Sequence, residues 1–307
     1  MKEPWYIIAN PTAGHGAVAA CLDELCEALQ EVGLSYLVRN SDRPNHAITL
    51  VEEGIVKGFR KIITVGGDGT NNEVVNGILR QTIIPSTDIQ YALLPCGTGN
   101  DWVKEYQIPR KIRDWMAMLH GGKTILQDIG KVVYHNLGQQ QERYFANVAG
   151  MSYDAFVVRE MSNLRKPINN RLGYLLYGLY YVFRYRIPHA KIWIDGKVNE
   201  GNYYLINAGI CRYSGGGMQL VPHAIPNDGK LAVTLAGPLT KLGVLLNSYR
   251  FYNGKIAGHP KVEIFQVERI RVEHKDEAIL LEVDGEYLGT TPVDIEIIPK
   301  ALRVLVP

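Results

Sequence analysis

"KIITVGGDGTNNEVVNGI", residues 61–78, sets Gly66, Gly67 and Gly69 around Asp68, between an apolar run and a helical one. "KIITV" reads as a strand, and Val74, Val75, Ile78 and Leu79 then recur at helical spacing. A strand entering a helix through a glycine turn is half of a β–α unit, and the chain up to residue 120 repeats it. "WYIIAN" (5–10) reads as a strand. The helix after it carries Val18, Leu22, Leu25, Leu29 and Val32 on one stripe and ends at Gly33. "LSYLVR" (34–39) and "YALLP" (91–95) are further strands, and Asn45 is placed to cap a helix bearing Ile48, Val51, Ile55 and Val56. This alternation implies an α/β domain: a parallel sheet with helices on both faces.

Three loops, "NPTAGHG" (10–16), "GGDGTNN" (66–72) and "PCGTGND" (95–101), each follow a strand directly. In an open parallel sheet such loops share one edge, where the strands' carboxyl ends form a ligand crevice. Gly66, Gly67 and Gly69 let the backbone turn sharply and approach a ligand. Thr70 and Glu73 have capping-box spacing, with Thr70 capping the helix and Glu73 reaching back to its amide. Free N–H groups at the helix start then suit phosphate. Asp68 is repelled by polyphosphate unless a cation lies between them, or unless it holds a loop amide or a ribose hydroxyl. Its presence favours a Mg²⁺-nucleotide over a bare anion; the plain alternative is a β–α turn whose aspartate satisfies backbone amides. "NPTAGHG" lacks the G-x-x-x-x-G-K-[ST] spacing, which excludes that NTPase class. Lys104 and Arg110 lie close enough in sequence to serve phosphate.

Beyond residue 124 the pattern turns to strand-like runs, including "HAKIWID", "KLAVTLAG", "KVEIFQV", "PVDIEII" and "LRVLV". Asp-Gly pairs recur among them, at Asp195-Gly196, Asp228-Gly229 and Asp284-Gly285. A β-rich, mainly antiparallel C-terminal domain is expected, with helical patches at 153–183 and 239–252. The expected domains are residues 1–124 with 300–307, and residues 125–299. A net charge of +2 argues against a nucleic-acid partner but permits a local basic patch. The start of the chain lacks a signal-peptide pattern, and the apolar run at 172–183 is too short to span a bilayer. A cytoplasmic protein with peripheral membrane association is expected. None of the four cysteines forms a C-x-x-C pair, so reduced thiols are expected, and the histidines complete no zinc set.

Taken together, "NPTAGHG", "GGDGTNNEVVNG" and "PCGTGNDW", in this order and spacing, resemble the diacylglycerol kinase catalytic-domain family. That family includes small bacterial lipid kinases and sphingosine kinases, with NAD kinases more distant. The likeness continues through "LVPHAIPNDGKL" and "LEVDGEYLG". It implies an N-terminal nucleotide-binding α/β domain and a C-terminal β-sandwich-like domain, with the final "ALRVLV" returning to the first. It implies ATP contacts from Asn10, Pro11, Thr12, Ala13 and Gly14, from Ser41, from Gly67, Asp68, Gly69, Thr70, Asn71, Asn72 and Glu73, and from Thr98. Gly66, Gly97, Gly99, Asn100 and Asp101 complete the candidate cofactor-binding loops. Asp228 in "PNDGK" resembles a structural Mg²⁺ ligand, helped by the carbonyls of Ile225 and Lys230; pattern alone reads this segment as a surface turn.

"LEVDGEYLG" reads on pattern alone as a β-hairpin turning at Asp284-Gly285. The resemblance instead places the catalytic carboxylate in this Asp-Gly-Glu. We assign the base to Glu286, with Asp284 organising Mg²⁺ or the acceptor hydroxyl, and Asp284 stays open as the alternative. His15, Asn72 and Cys96 depart from the family pattern and leave nucleotide preference open. The implied reaction is ATP- and Mg²⁺-dependent phosphorylation of a lipid hydroxyl, with diacylglycerol as the leading acceptor. A kinase of a sphingoid base or of NAD is an alternative, as is a non-catalytic nucleotide-binding regulator. The third loop matches the lipid branch better than the NAD branch, and intact Asp68, Asp284 and Glu286 weigh against the regulator. The segment "RLGYLLYGLYYVFRYR" (171–186) offers an apolar surface flanked by Arg171, Arg184 and Arg186 for a lipid partner, or else is a core helix. The resemblance also allows a homodimer.

Overall fold

Five residues in a row, Trp5–Ala9, are buried and form β1. The structure, a computed structural model, describes residues 3–11, 16–96, 100–164 and 171–307. It divides into two compact units, at Asp128/Ile129 and again at Pro299/Lys300. In the first unit β1 is followed by α1 (Ala17–Glu31), β2 (Tyr36–Asn40), α2 (His46–Val56), β3 (Lys61–Gly66) and α3 (Asp68–Arg80). β4 (Gln90–Pro95), α4 (Trp102–Tyr106) and α5 (Ile112–Gly121) come next. β1 pairs in parallel with β2 and β3, and β3 pairs in parallel with β4. β1, β3 and β4 are buried almost without interruption, the mark of strands covered on both faces. α2 packs on α3, and α1 on α5. Val18, Leu22, Leu25 and Leu29 are the buried stripe of α1. Val32 and Val56 fall outside their expected stripes and are exposed, because each sits where its helix ends.

The second unit is β-rich. Strand β5 (Lys123–Asn136) leads into β6 (Gln139–Phe145), β7 (Val148–Ser152), α6 (Tyr153–Ser162) and α7 (Arg171–Val182). There follow β8 (His189–Ile194), β9 (Lys197–Asn202), β10 (Leu205–Gly209), β11 (Tyr213–Ser214), β12 (Met218–Gln219) and β13 (Leu231–Ala236). α8 (Lys241–Asn247), α9 (Tyr249–Tyr252), β14 (Val262–Val267), β15 (Arg269–His274), β16 (Leu280–Val283) and β17 (Glu286–Val306) complete it. The sheet order is β14-β13-β10-β7-β16-β17, and β15 joins β17 to β8. Along this order, and where β15 meets β17 and β8, the ladders are antiparallel. Asp195-Gly196 and Asp284-Gly285 have positive φ at both residues (47° and 76°, 49° and 88°), as a two-residue hairpin with the strands' own twist requires. At Asp228-Gly229 only the glycine does, and the pair sits in a loop before β13.

Several features differ from the sequence reading, among them β9, β11, β12, α4 and α5, which it did not contain. "PVDIEII" and "LRVLV" belong to one strand, β17, whose Arg303 and Val304 pair in parallel with β4. β6 and β7 were not read as strands. The first is largely polar and exposed; the second is short, wholly buried and rich in small residues.

Gly77 of α3 sets how closely α3 can approach α2, since a Cβ there would lie 2.7 Å from Val51 Cβ and 2.9 Å from the Ile48 carbonyl oxygen. Gly77→Ala is expected to destabilise the protein by about 1–3 kcal/mol through overpacking. Denaturant unfolding checks this, and an unchanged midpoint would mean that the helix pair opens freely.

Candidate functional site

Parallel register brings the strand ends into one row. Ala9 lies opposite Asn40 and Val65, Val65 opposite Leu94, and Gly66 opposite Pro95. The segments beginning at Asn10, Ser41, Gly67 and Cys96 therefore leave the sheet at the same edge. Pro11 follows Asn10 directly. Ser41 is buried, and both its N–H (2.8 Å) and its hydroxyl (3.3 Å) donate to the Ala9 carbonyl, clipping β2 to the end of β1. Thr12, Ala13, Gly14, Gly97, Thr98 and Gly99 lie outside the described residues.

Asp68 opens α3, and its two carboxylate oxygens accept the N–H groups of Asn100 (2.8 Å) and Asp101 (3.2 Å). Of the roles left open by sequence, holding a loop amide is the one on display. Asp68 ties the second glycine loop to the third. Asn100, at φ 53°, is held in the left-handed region within that tie. Asp101 is buried and its carboxylate pairs with Lys104.

The expected capping box does not form. The N-cap of α3 is Gly67, with no side-chain cap, and Thr70 lies within the first turns of the helix. Glu73 turns instead to α2, accepting the N–H groups of Asn45 (2.8 Å) and Ala47 (3.1 Å). Asn45 does not cap α2 with its own side chain; at φ 62° it leaves amides that need an acceptor, and Glu73 supplies one across the α2–α3 contact. Asn71 and Asn72 are buried. Asn71 accepts the Tyr91 hydroxyl, and Asn72 accepts the Asn76 amide (2.9 and 3.1 Å), so both side chains serve the interior of the unit.

Gly66, Gly67 and Gly69 do not take left-handed conformations, so the turn itself does not demand glycine. Among the described residues, a Cβ at Gly67 would meet Asn100 Oδ1 at 3.7 Å and the Cys96 carbonyl oxygen at 4.0 Å, ordinary contacts. The smallness of Gly67 is compatible with the approach of a ligand to backbone N–H groups at the start of α3.

The expectation of reduced thiols is corrected. Cys21 of α1 and Cys96, next after β4, form a disulfide with Cα atoms 6.5 Å apart, while Cys26 and Cys211 are not disulfide-bonded. Sequence spacing cannot reveal this pair, because α1 returning along the sheet brings the two together.

In the second unit, Asp284 accepts three backbone N–H groups, from Ala146, Asn147 and Val148, each at 3.1 Å. Its own N–H donates to the Val148 carbonyl at 2.9 Å. This geometry makes Asp284 the anchor of the β16–β17 turn. Glu286, two residues on, has a side chain 39% exposed and receives Arg143 Nη2 at 3.2 Å. Arg143 was missed in the sequence because it lies in the polar run of β6, which carries no motif. Asp228 is exposed; its oxygens accept the Lys230 N–H (2.9 Å) and the Gln266 amide (3.4 Å). A carboxylate in a turn with neighbouring carbonyls is the hard oxygen set that Mg²⁺ takes, and one N–H per oxygen leaves lone pairs for it. Among the described residues no three His, Cys, Asp or Glu side chains cluster as a metal site.

Residues 4–132 match the diacylglycerol kinase catalytic domain, and residues 147–306 match the YegS C-terminal NAD kinase beta sandwich-like domain. A diacylglycerol kinase of Staphylococcus carnosus is 26% identical, over 100% of this chain and 96% of its own. One of Mycobacterium tuberculosis is 27% identical, over 98% of this chain and 94% of its own. A solved diacylglycerol kinase structure from Bacillus anthracis superposes with a TM-score of 0.71 at 20% identity, covering 100% of this chain and 98% of that one. Yeast NADH kinase superposes with a TM-score of 0.56 at 10% identity, covering 99% and 84%. At these identities the two structures show the fold alone, a helix-covered sheet followed by a β-rich domain.

Glu73→Ala removes the acceptor for two α2 amides and is expected to cost about 0.5–2 kcal/mol, as loss of a helix cap does. Urea unfolding tests it; no loss would show that water serves these amides equally well.

Proposed function

The chain belongs to the diacylglycerol kinase catalytic-domain family, and on that premise we propose that it is an ATP-dependent lipid kinase whose acceptor is diacylglycerol. The shared strand edge carries the reading. There Asp68 joins two loops beside a helix that starts without a side-chain cap, and such N–H groups are suited to polyphosphate. Asn10 and Ser41 stand in the same row, and Thr12, Gly14 and Thr98 remain contacts proposed from the family motifs.

In the proposed reaction the lipid hydroxyl oxygen bonds to the γ-phosphorus while the bond to the β–γ bridging oxygen breaks and ADP departs. The hydroxyl proton passes to a carboxylate, which we assign to Glu286. Supporting this choice, Asp284 is occupied by three amides, whereas Glu286 is partly exposed and oriented by Arg143. ATP enters as its Mg²⁺ complex, in which the metal offsets phosphate charge. Asp228, with the carbonyls of Ile225 and Lys230, would hold a separate Mg²⁺ whose role is to brace that turn.

The proposed partner is an anionic bilayer surface. Leu176, Tyr180 and Phe183 of the α7 segment stand at i, i+4 and i+7 and are 54–57% exposed. Leu242, Leu246 and Tyr249 repeat that spacing along α8 and α9 at 56–65%. α7 and α8 pack on each other, and Lys241 Nζ donates to the Phe183 carbonyl at 2.6 Å. Residues 161–194 and 229–262 contain eleven Lys and Arg and no Asp or Glu. Apolar stripes on segments rich in Lys and Arg suit insertion among anionic headgroups. Among the described residues no helix is long and apolar enough to cross a membrane.

The first test is incubation with Mg²⁺ and γ-labelled ATP, offering diacylglycerol and a sphingoid base in micelles, and NAD. Label is expected in diacylglycerol, with kcat falling about 10²–10⁴-fold in Glu286→Gln while ATP binding persists. Label confined to another acceptor would transfer the assignment to it; ATP binding without any transfer would overturn it. A paired Leu242→Ser, Leu246→Ser variant is expected to lose flotation with phosphatidylglycerol vesicles. Equal flotation of both proteins would remove this face as the docking surface.

A further inference from the structure

Glu282 and Asp154 meet in the interior beneath the turn that carries Glu286. Glu282, in β16, is 2% exposed, and its Oε2 accepts the Gly285 N–H at 2.8 Å, inside the Asp284–Glu286 turn. Asp154 lies in the first turn of α6, where its Oδ1 accepts the Ala155 N–H at 2.9 Å. Between them is Gly150 of β7, paired with Glu282 on one side and with Asn207 of β10 on the other. A Cβ on Gly150 would collide with both Asp154 Oδ2 and Glu282 Oε1, so the two carboxyl groups occupy the space that a side chain there would fill. The Asn207 amide nitrogen, oriented to satisfy its neighbours, donates to Asp154 Oδ2 at 2.6 Å.

Among the described residues no Lys, Arg or His pairs with either carboxyl. Arg159, the cation of α6, is turned to Glu160 at 2.9 Å. The other titratable groups facing the pair are Asp284, which adds like charge, and the phenols of Tyr185 and Tyr204, which burial keeps neutral. Two ionised carboxylates cannot share such a site without a cation. Burial pushes Asp154 up to about 8, and burial together with the Asp154 charge pushes Glu282 well above the usual carboxylate range.

We propose that Asp154 and Glu282 share a proton as an acid–carboxylate pair, and that this pair is a positioning device holding the Gly285 amide and hence the turn from which Glu286 projects. The positioning role rests on the kinase reading; the shared proton does not. Glu282 and Asp154 touch no reacting atom in this account and act through the turn.

The folded protein retains a proton that the unfolded chain releases near pH 4. Stability contributed at low pH is therefore lost as pH rises from about 4 toward 8. Glu282→Gln keeps the shape, offers its carbonyl oxygen to Gly285 and donates its amide to Asp154, so it needs no shared proton. Thermal unfolding of the full chain between pH 5 and 9 is the first measurement. The wild-type midpoint is expected to fall with pH, and Glu282→Gln to lose about half of that slope or more. Asp154→Asn, with the amide on the other member, is expected to do the same.

Hydrogen exchange over residues 280–290 reads the turn without substrate. Protection at Gly285 is expected to drop in Glu282→Ala and to be kept in Glu282→Gln. With diacylglycerol and ATP, Glu282→Ala is expected to lower kcat more than the KM for ATP, with rescue in Glu282→Gln and an alkaline limb moved to higher pH. An unchanged pH slope of unfolding in both amide variants would overturn the shared proton. Unchanged protection in Glu282→Ala would overturn its hold on the turn. Flattened slopes and altered protection without transfer to any acceptor would support the pair and sink the kinase reading instead.

Discussion

Parallel pairing of β1, β2, β3 and β4 is the constraint on which the first unit depends. Strands that run the same way deliver their carboxyl ends, and every loop that follows them, to one edge. The pairing needs helices between consecutive strands and leaves β1, β3 and β4 buried on both sides, hence their near-continuous apolar composition. Asn10, Ser41, Gly67 and Cys96 are neighbours because of register, although as many as 86 positions separate them in the chain.

On that frame carboxylates hold the loops. Asp68 accepts the amides of Asn100 and Asp101, and Glu73 those of Asn45 and Ala47. Asp128, fully buried, accepts the Lys300 amide at 2.7 Å where β17 enters the first unit. Asp284 takes three amides, and Glu282 takes one. A hydrogen bond to a charged group contributes about 1.5–3 kcal/mol, roughly twice a neutral one, and fixes a loop without filling the space a ligand needs. Acidic residues that look like ligand contacts in a motif therefore also act as joints of the backbone.

The helix-strand alternation, the α1 stripe of Val18, Leu22, Leu25 and Leu29, and the hairpin at Asp284-Gly285 were legible because each depends on neighbours in sequence. The capping box at Thr70 and Glu73 was misread for the complementary reason. Its spacing is right, but the amides of α2 are the stronger claimants once α2 and α3 pack. Strand β6 was hidden by its polar exposed face, and β7 by its small residues, so Arg143 and the anchoring amides of 146–148 had no local signal. The Cys21–Cys96 bond likewise has no spacing signature.

By itself, then, the sequence determined the class of most segments, the order of the three glycine loops, and the family they resemble, since periodicity, turn chemistry and motif spacing are local. Only the tertiary structure decided which acceptor each backbone amide finds. It made Asp284 an anchor and left Glu286 partly exposed, turned Glu73 outward from its own helix, and put Asp154 against Glu282 across Gly150. The reason is that hydrogen bonds and buried charges are settled by distances through space, which packing sets.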